Sequence, residues 1–199
     1  MDDPSETLNI SALYIYPIKS LRGVSLQHAT LTAQGLAYDR RFMLREIKSD
    51  GTRRNMACYH DPLMVRFIQS LARLDRRDLA VTSIDDADAV TVRFSPTDGS
   101  AEKAITIPLA PEIAKLKQTA ISMHGCPTIG YEMGPSYNQW FSNCFGKDVE
   151  LIFVGHNRWK VLGNLSPNAA PTSGVLPSIL STISSVAGLA KPAIEDGHE

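Results

Sequence analysis

The stretch RFMLREIKSDGTRRNMACY, residues 41–59, decides the class of fold. Successive side chains of an extended chain point to opposite faces, so Phe42 and Leu44 share one side and Met43 and Arg45 the other. Asp50-Gly51 is a hairpin signal, because a tight turn needs a left-handed backbone that Gly adopts freely. Arg53 to Tyr59 then reads as the returning strand. Upstream, Ile10 to Tyr16 is rich in β-branched and aromatic residues and stops at Pro17, where a ladder donor is lost. Val24 to Leu31 alternates Val24, Leu26 and His28 against Ser25 and Gln27, with a turn at Gly35. Downstream, Leu63 to Leu74 fits a strand through Val65, Phe67 and Leu71, and a helix stripe through Leu63, Phe67, Leu71 and Leu74. Its neighbours favour the strand. Leu79 to Ile84, Ala89 to Ser95, Ala104 to Leu109, Thr119 to His124 and Val149 to Val154 are further strand-length runs.

One helix stands out, Pro135 to Phe145. Pro135 suits a first turn, Trp140, Phe141, Cys144 and Phe145 share one face, and Gly146 sits where a helix ends. Trp140, Phe141 and Phe145 are expected to be buried where this helix packs on a sheet. About nine strands and one helix predict a mostly β domain over residues 9–155, barrel-like or a sandwich. Residues 1–8 read as a disordered N-terminus. After Gly163 the composition turns to Pro, Ser and Ala, so residues 156–199 read as a linker and flexible C-terminal tail. Leu176, Ile179, Leu180, Ile183 and Ala187 fall at helical spacing within it.

The chain has 199 residues, with 20 Lys and Arg against 21 Asp and Glu, a net charge of −1. No global positive field draws nucleic acid or anionic lipid, so such a partner needs a local patch. Arg158-Trp159-Lys160 is too short to be one. Three cysteines, at 58, 126 and 144, suit a reducing compartment better than a disulfide framework. The acidic start has the marks of neither a signal peptide nor a transit peptide, and no run reaches the ~20 apolar residues of a membrane helix. An intracellular protein, cytoplasmic or mitochondrial-associated, is expected. GxGxxG, Walker, GxSxG, HExxH and CxxC signatures are missing from the sequence.

Two constellations could carry chemistry. Tyr16-Pro17-Ile18-Lys19-Ser20 ends a strand at a proline and releases an ammonium and a hydroxyl into a turn; Tyr38-Asp39-Arg40-Arg41-Phe42 opens the next strand with two arginines. Lys19, Ser20 and Arg41 could converge on one concave site as charge-assisted donors to a phosphate or other oxyanion. Gly23 and Gly35 would let the turns approach such a ligand. The alternative is that Lys19 and Arg40 are solvated and Asp39 pairs with an arginine. The second constellation is Cys58-Tyr59-His60 with His124-Gly125-Cys126. On strands, each pair would present two ligands on one face to a zinc ion; otherwise they are packed thiols and satisfied histidines.

Tyr16-Pro17-Ile18-Lys19-Ser20 with Gly23-Val24, then Gly35-Leu36-Ala37-Tyr38-Asp39-Arg40-Arg41-Phe42-Met43-Leu44, resembles the MOSC N-terminal β-barrel family. The similarity continues through Tyr131-Glu132-Met133-Gly134, Trp140-Phe141-Ser142, Gly146-Lys147-Asp148-Val149, Asn157-Arg158 and Leu162-Gly163-Asn164-Leu165, about residues 9–168. In the family this domain precedes a MOSC core in molybdenum cofactor sulfurases and in the mitochondrial amidoxime-reducing component. The resemblance implies that Lys19, Ser20 and Arg41 contact the phosphate end of a molybdopterin-type cofactor. It implies a full-length oxidoreductase of N-hydroxylated compounds, working with electron-transfer proteins, or a sulfur-transfer protein. Cys58, Cys126 and Cys144 lie outside the family's molybdenum-ligand motif, so no catalytic residue and no metal ligand is assigned. The chain then reads as the N-terminal portion of a larger protein, its tail leading to a MOSC core, and inactive by itself. The competing class is a non-catalytic module that binds an anion or a partner protein. Pyridoxal phosphate is attached to the family through the sulfurases, but no lysine here stands out as a Schiff-base former.

Overall fold

The computed structural model describes residues 9–33, 35–75, 81–123 and 126–155. The expected loose N-terminus, the tail with its helix-spaced apolar residues, His124 and the start of the Leu79–Ile84 run lie outside these residues. The described chain forms twelve strands and one α-helix. They run β1 (Leu13–Ile15), β2 (Val24–Leu26), β3 (Leu31–Thr32), β4 (Gly35–Leu36), β5 (Phe42–Ile47), β6 (Arg53–Asn55), β7 (Phe67–Ala72), β8 (Ala89–Phe94) and β9 (Lys103–Pro108). Then come β10 (Lys117–Met123), β11 (Cys126–Glu132), α1 (Pro135–Phe145) and β12 (Val149–Phe153).

The β5–β6 hairpin forms around the expected turn, with Gly51 at φ 80° and Arg45 facing Asn55. It belongs to an antiparallel sheet in the order β10-β11-β12-β5-β6. This sheet coils until its ends meet through side chains. Arg45 on β5 donates to the Ala120 carbonyl (2.8 Å) and to Thr119 Oγ1 (3.0 Å) on β10, and Asn55 on β6 donates to the Ser122 carbonyl (2.6 Å). Both faces of β5 and β12 are therefore covered, in strict alternation. Phe42, Leu44, Val149, Leu151 and Phe153 join the main core, while Met43, Ile152 and Val154 pack on Ile121 inside the coil. Arg45 and Glu150, opposite one another in register, share that inner face. The interior is tight enough to require a glycine, since a Cβ on Gly130 would meet Ile152 Cγ2 at 2.5 Å.

A second sheet, β7-β8-β9, closes the main core from the other side. α1 lies between them with Phe141 fully enclosed; Phe67 of β7 stacks on Phe145 at 4.7 Å and meets Trp140 edge-on at 6.1 Å. Trp140 and Phe145 are partly buried and pack against the same core, as expected, while the helix's fully buried side chains are Phe141 and Cys144. The helix also covers the free edge of β12. Asn138 Oδ1 accepts the Leu151 N–H and Ser142 Oγ accepts that of Val149, both at 2.9 Å, which satisfies donors that β11 does not reach. Gly146 ends the helix in the left-handed region, φ 67°.

Several segments differ from their sequence expectation. Leu63 to Leu74 divides, with a 3-10 turn at Pro62–Arg66 and a strand only at Phe67–Ala72. The returning strand stops at Asn55, where residues 57–60 turn. Val24 to Leu31 is a strand only to Leu26, and Leu31–Thr32 instead pairs with Gly35–Leu36. Val81 and Ser83 make single bridges, to Leu71 and His28, before a 3-10 turn at Ile84–Asp86. Among the described residues no helix is long and apolar enough to cross a membrane.

Candidate functional site

Two loops deliver the sequence-predicted residues to the N-terminal end of β5, and the backbone clasps them together. Phe42 N–H donates to the Pro17 carbonyl (3.0 Å) and Lys19 N–H to the Phe42 carbonyl (2.9 Å), a short parallel bridge beside β5. Tyr16 N–H donates to Asp39 Oδ1 (2.7 Å), and Arg40 N–H returns to the Tyr16 carbonyl (2.8 Å). Asp39 is thus a backbone acceptor as well as a loose partner of Arg40 at 3.5 Å. Within these loops Ser20, Tyr38 and Arg40 all hold positive φ, at 68°, 59° and 52°. A left-handed conformation costs a non-glycine residue on the order of 1–2 kcal/mol, which the surrounding bonds must offset.

The outcome is a cleft of about 400 Å³ lined by Tyr16, Lys19, Ser20, Arg22, Arg40, Cys58 and Val65. The Lys19 ammonium has two long contacts, 3.5 Å to Ser20 Oγ and 3.5 Å to the Met56 carbonyl, and no carboxylate pairs with it among the described residues. Burial lowers its pKa, the Cys58 sulfur pulls the other way, and Arg40 adds to the lowering. An anion entering the cleft would relieve that penalty. Arg22 is oriented by donation from Nε to the Val65 carbonyl (2.8 Å). The Arg40 guanidinium lies 5.9 Å from the centre of the Tyr16 ring. Gly23 makes room for that ring, since a Cβ there would approach it to 2.9 Å; Gly35, by contrast, serves its hairpin at φ 101° with open space around it.

Arg41 does not join this cleft. It lines a second one, about 420 Å³, with Thr30, Tyr38, Asp85, Leu109, Phe153 and Gly155, and its Nη1 donates to the Gly155 carbonyl at 2.5 Å. Arg40 sits in the left-handed region at φ 52° just before Arg41 leads into β5, and the two arginines are divided between two clefts. The expected meeting of Lys19, Ser20 and Arg41 holds for the first two alone, and Arg40 and Arg22 supply the further positive charge.

The turn at 57–60 carries Cys58 to the cleft and is held by a charge network. Arg54 Nη2 lies 2.5 Å from Glu46 Oε2 and 2.9 Å from Asp61 Oδ1, and Lys147 Nζ lies 2.6 Å from the same Asp61 oxygen. Burial pushes the Asp61 carboxyl up, but hydrogen bonds from Arg54 and Lys147 outweigh it and hold it below the usual carboxylate range. Glu46 is held down first by its hydrogen bond from Arg54, against a smaller effect of burial. Groups with depressed folded pKa values stabilise the fold above their unfolded pKa, near 4, and lose that contribution as pH falls through the folded value. The melting temperature should therefore drop more steeply on acidification from about pH 5 to 3 in the wild type than in the Glu46→Gln/Asp61→Asn double variant. Parallel melting curves across that window would exclude this role.

Cys58 and His60 lie on the turn and are exposed, so the same-face argument for a zinc pair does not apply to them. Cys126 opens β11, and among the described residues no three His, Cys, Asp or Glu side chains gather as metal ligands. Burial pushes the Cys144 thiol up to about 11, which leaves it protonated near neutrality. The sequence reading overlooked Arg22 and Gln69 (on β7, described below) and named Arg40 only as a solvated charge. Arg40 was legible as half of an Arg-Arg pair; a single buried Gln within an apolar strand carries no such signal.

No curated protein and no solved structure matches the chain. The family model described as the MOSC N-terminal beta barrel domain matches residues 7–148, a span that holds both loops, both sheets except β12, and the helix. The coiled sheet, the single helix and the paired loops at the end of β5 thus have a family setting, and the chain belongs to the MOSC N-terminal beta barrel domain family.

Proposed function

We propose that this domain cradles the phosphate end of a molybdopterin-type cofactor and works with a MOSC core as its partner. The observation that carries the reading is the Lys19 ammonium, half-buried with no carboxylate partner among the described residues, in a cleft it shares with Ser20, Arg22 and Arg40. Such a donor set suits a phosphate, because charge-assisted bonds from Lys, Arg and hydroxyl groups are the strong ones. When bound, such a cofactor supplies molybdenum redox chemistry; the described residues supply position and electrostatics. Reduction of N-hydroxylated compounds, or sulfur transfer, is the activity this reading assigns to the full assembly. Arg41 and the second cleft lie beside this site, and the bond to Gly155 favours a narrower second reading. In that reading the chain is an anion-binding module whose ligand stops at the phosphate.

Equilibrium dialysis of the 199-residue chain against inorganic phosphate tests the reading. Lys19→Ala should weaken binding about tenfold or more, since a charge-assisted bond contributes about 1.5–3 kcal/mol. Added salt should weaken the wild type as well. Arg41→Ala should leave phosphate affinity nearly unchanged. Equal affinity in the wild type and Lys19→Ala would refute the reading.

A further inference from the structure

We infer that Gln69 is the positioning residue of the Lys19–Ser20 loop, and that its amide sets the geometry of the anion cleft without touching the ligand. The ligand-binding consequence rests on the reading proposed above; the effect on the loop does not. Gln69 lies in the middle of β7 with 4% exposure, one of a few buried polar side chains among the described residues. A buried amide is tolerated only with its donor and acceptor satisfied. All the partners of Gln69 belong to one loop. Oε1 accepts the Ile18 N–H at 2.9 Å, while Nε2 donates to the Arg22 carbonyl at 2.7 Å and, weakly, to the Ile18 carbonyl at 3.5 Å.

The amide thus bridges both ends of the five-residue segment whose central members face the cleft. Ile18 and Leu21 are driven into the core, at 0% and 3% exposure, leaving Lys19 and Ser20 to face outward. The segment's own bonds are few: Lys19 N–H to the Phe42 carbonyl, Leu21 N–H to the Ile18 carbonyl at 3.4 Å, and Arg22 N–H to the Phe67 carbonyl at 3.2 Å. Ser20 is strained at φ 68° within it. Only a side chain with an acceptor and a donor at the reach of Gln satisfies both ends. Leu offers neither, and an ionised carboxylate would face the Arg22 carbonyl with no proton to give.

That asymmetry yields a test with a pH signature. Gln69→Leu and Gln69→Glu would be prepared in the full 199-residue chain, with amide exchange measured across residues 18–22 and labelled sulfate bound by equilibrium dialysis. Sulfate keeps its charge through the whole pH range used. Gln69→Leu should exchange faster in that loop at every pH and bind sulfate about tenfold more weakly. Gln69→Glu should resemble it at pH 7.5. As the pH falls toward 5 the introduced carboxyl, its pKa raised by burial, should take a proton, regain a donor and recover wild-type exchange and affinity. A general loss of packing would not reverse in this way. Wild-type exchange in both variants, or a pH profile for Gln69→Glu matching that of Gln69→Leu, would overturn the inference. Faster loop exchange in Gln69→Leu, with recovery in Gln69→Glu at low pH but no sulfate bound by the wild type, would uphold the positioning role and refute the anion reading.

Discussion

Replacing Glu150 with Leu is expected to cost about 3–5 kcal/mol, because it strands a buried guanidinium. Glu150 and Arg45 are each 4% exposed at their side chains, with Arg45 Nε 2.8 Å from Glu150 Oε1. The attraction between them is Coulombic first, with a smaller contribution from hydrogen bonding, and Arg45 also donates to Ala120 and Thr119 on β10. Arg53, 3.1 Å from the same carboxylate oxygen, would lose its partner too, but it is 45% exposed and can be solvated. Domains of this size are stable by about 5–15 kcal/mol, so the loss is a large fraction. At roughly 2–4 °C per kcal/mol, the melting temperature should fall by at least about 6 °C. An Arg45→Met/Glu150→Leu double variant should recover part of the loss, since a buried ion pair replaced by apolar side chains is often near neutral. Recovery should be incomplete, because the seam with β10 loses two hydrogen bonds. A single variant melting within 2 °C of the wild type, a span set by roughly the shift of 1 kcal/mol, would show that the pair is solvated.

Phe141→Ala carries an effect of similar size from a different cause. Phe141 is fully enclosed, its ring 5.9 Å from Phe67 and 4.9 Å from Trp140. Truncation leaves a cavity where the helix meets both sheets, at a cost of about 3–5 kcal/mol. Trp140→Ala should cost less, because the indole is only partly buried at the margin of the core and its removal opens a notch that water can reach. Thermal or denaturant unfolding of the two variants ranks them directly. An equal or larger loss for Trp140→Ala would mean that the indole organises this layer instead of Phe141.

Much of the architecture was legible because it depends on local signals. Asp50-Gly51 set the β5–β6 hairpin, and Pro135 and Gly146 bounded the helix to the residue. β8, β9 and β12 ended within one residue of their sequence expectation. Missed features were those that depend on distant partners. β11, which contains Pro127 and Gly130, was not anticipated; in the folded sheet the coil interior leaves no space for a Cβ at Gly130. Val65 looked like a strand residue, but Pro62 starts a 3-10 turn that carries it to the cleft. At the site, Lys19 and Ser20 were identified from their position after a strand-ending proline. The division of Arg40 from Arg41 follows from a left-handed backbone at Arg40 that no residue type announces. Gln69 was invisible for the same reason: its importance lies in the loop it spans, about fifty residues away in sequence, a distance that only the folded chain brings within reach.

The most direct measurement of the anion cleft is a residue-resolved amide NMR titration of the chain with sulfate. The largest shifts should fall on Lys19, Ser20, Arg22 and Arg40, with a common saturation curve that weakens as salt is raised and collapses in Lys19→Ala. Shifts concentrated instead around Thr30, Arg41 and Gly155, or no saturable shifts, would contradict the assignment of the site to the Lys19–Ser20 loop.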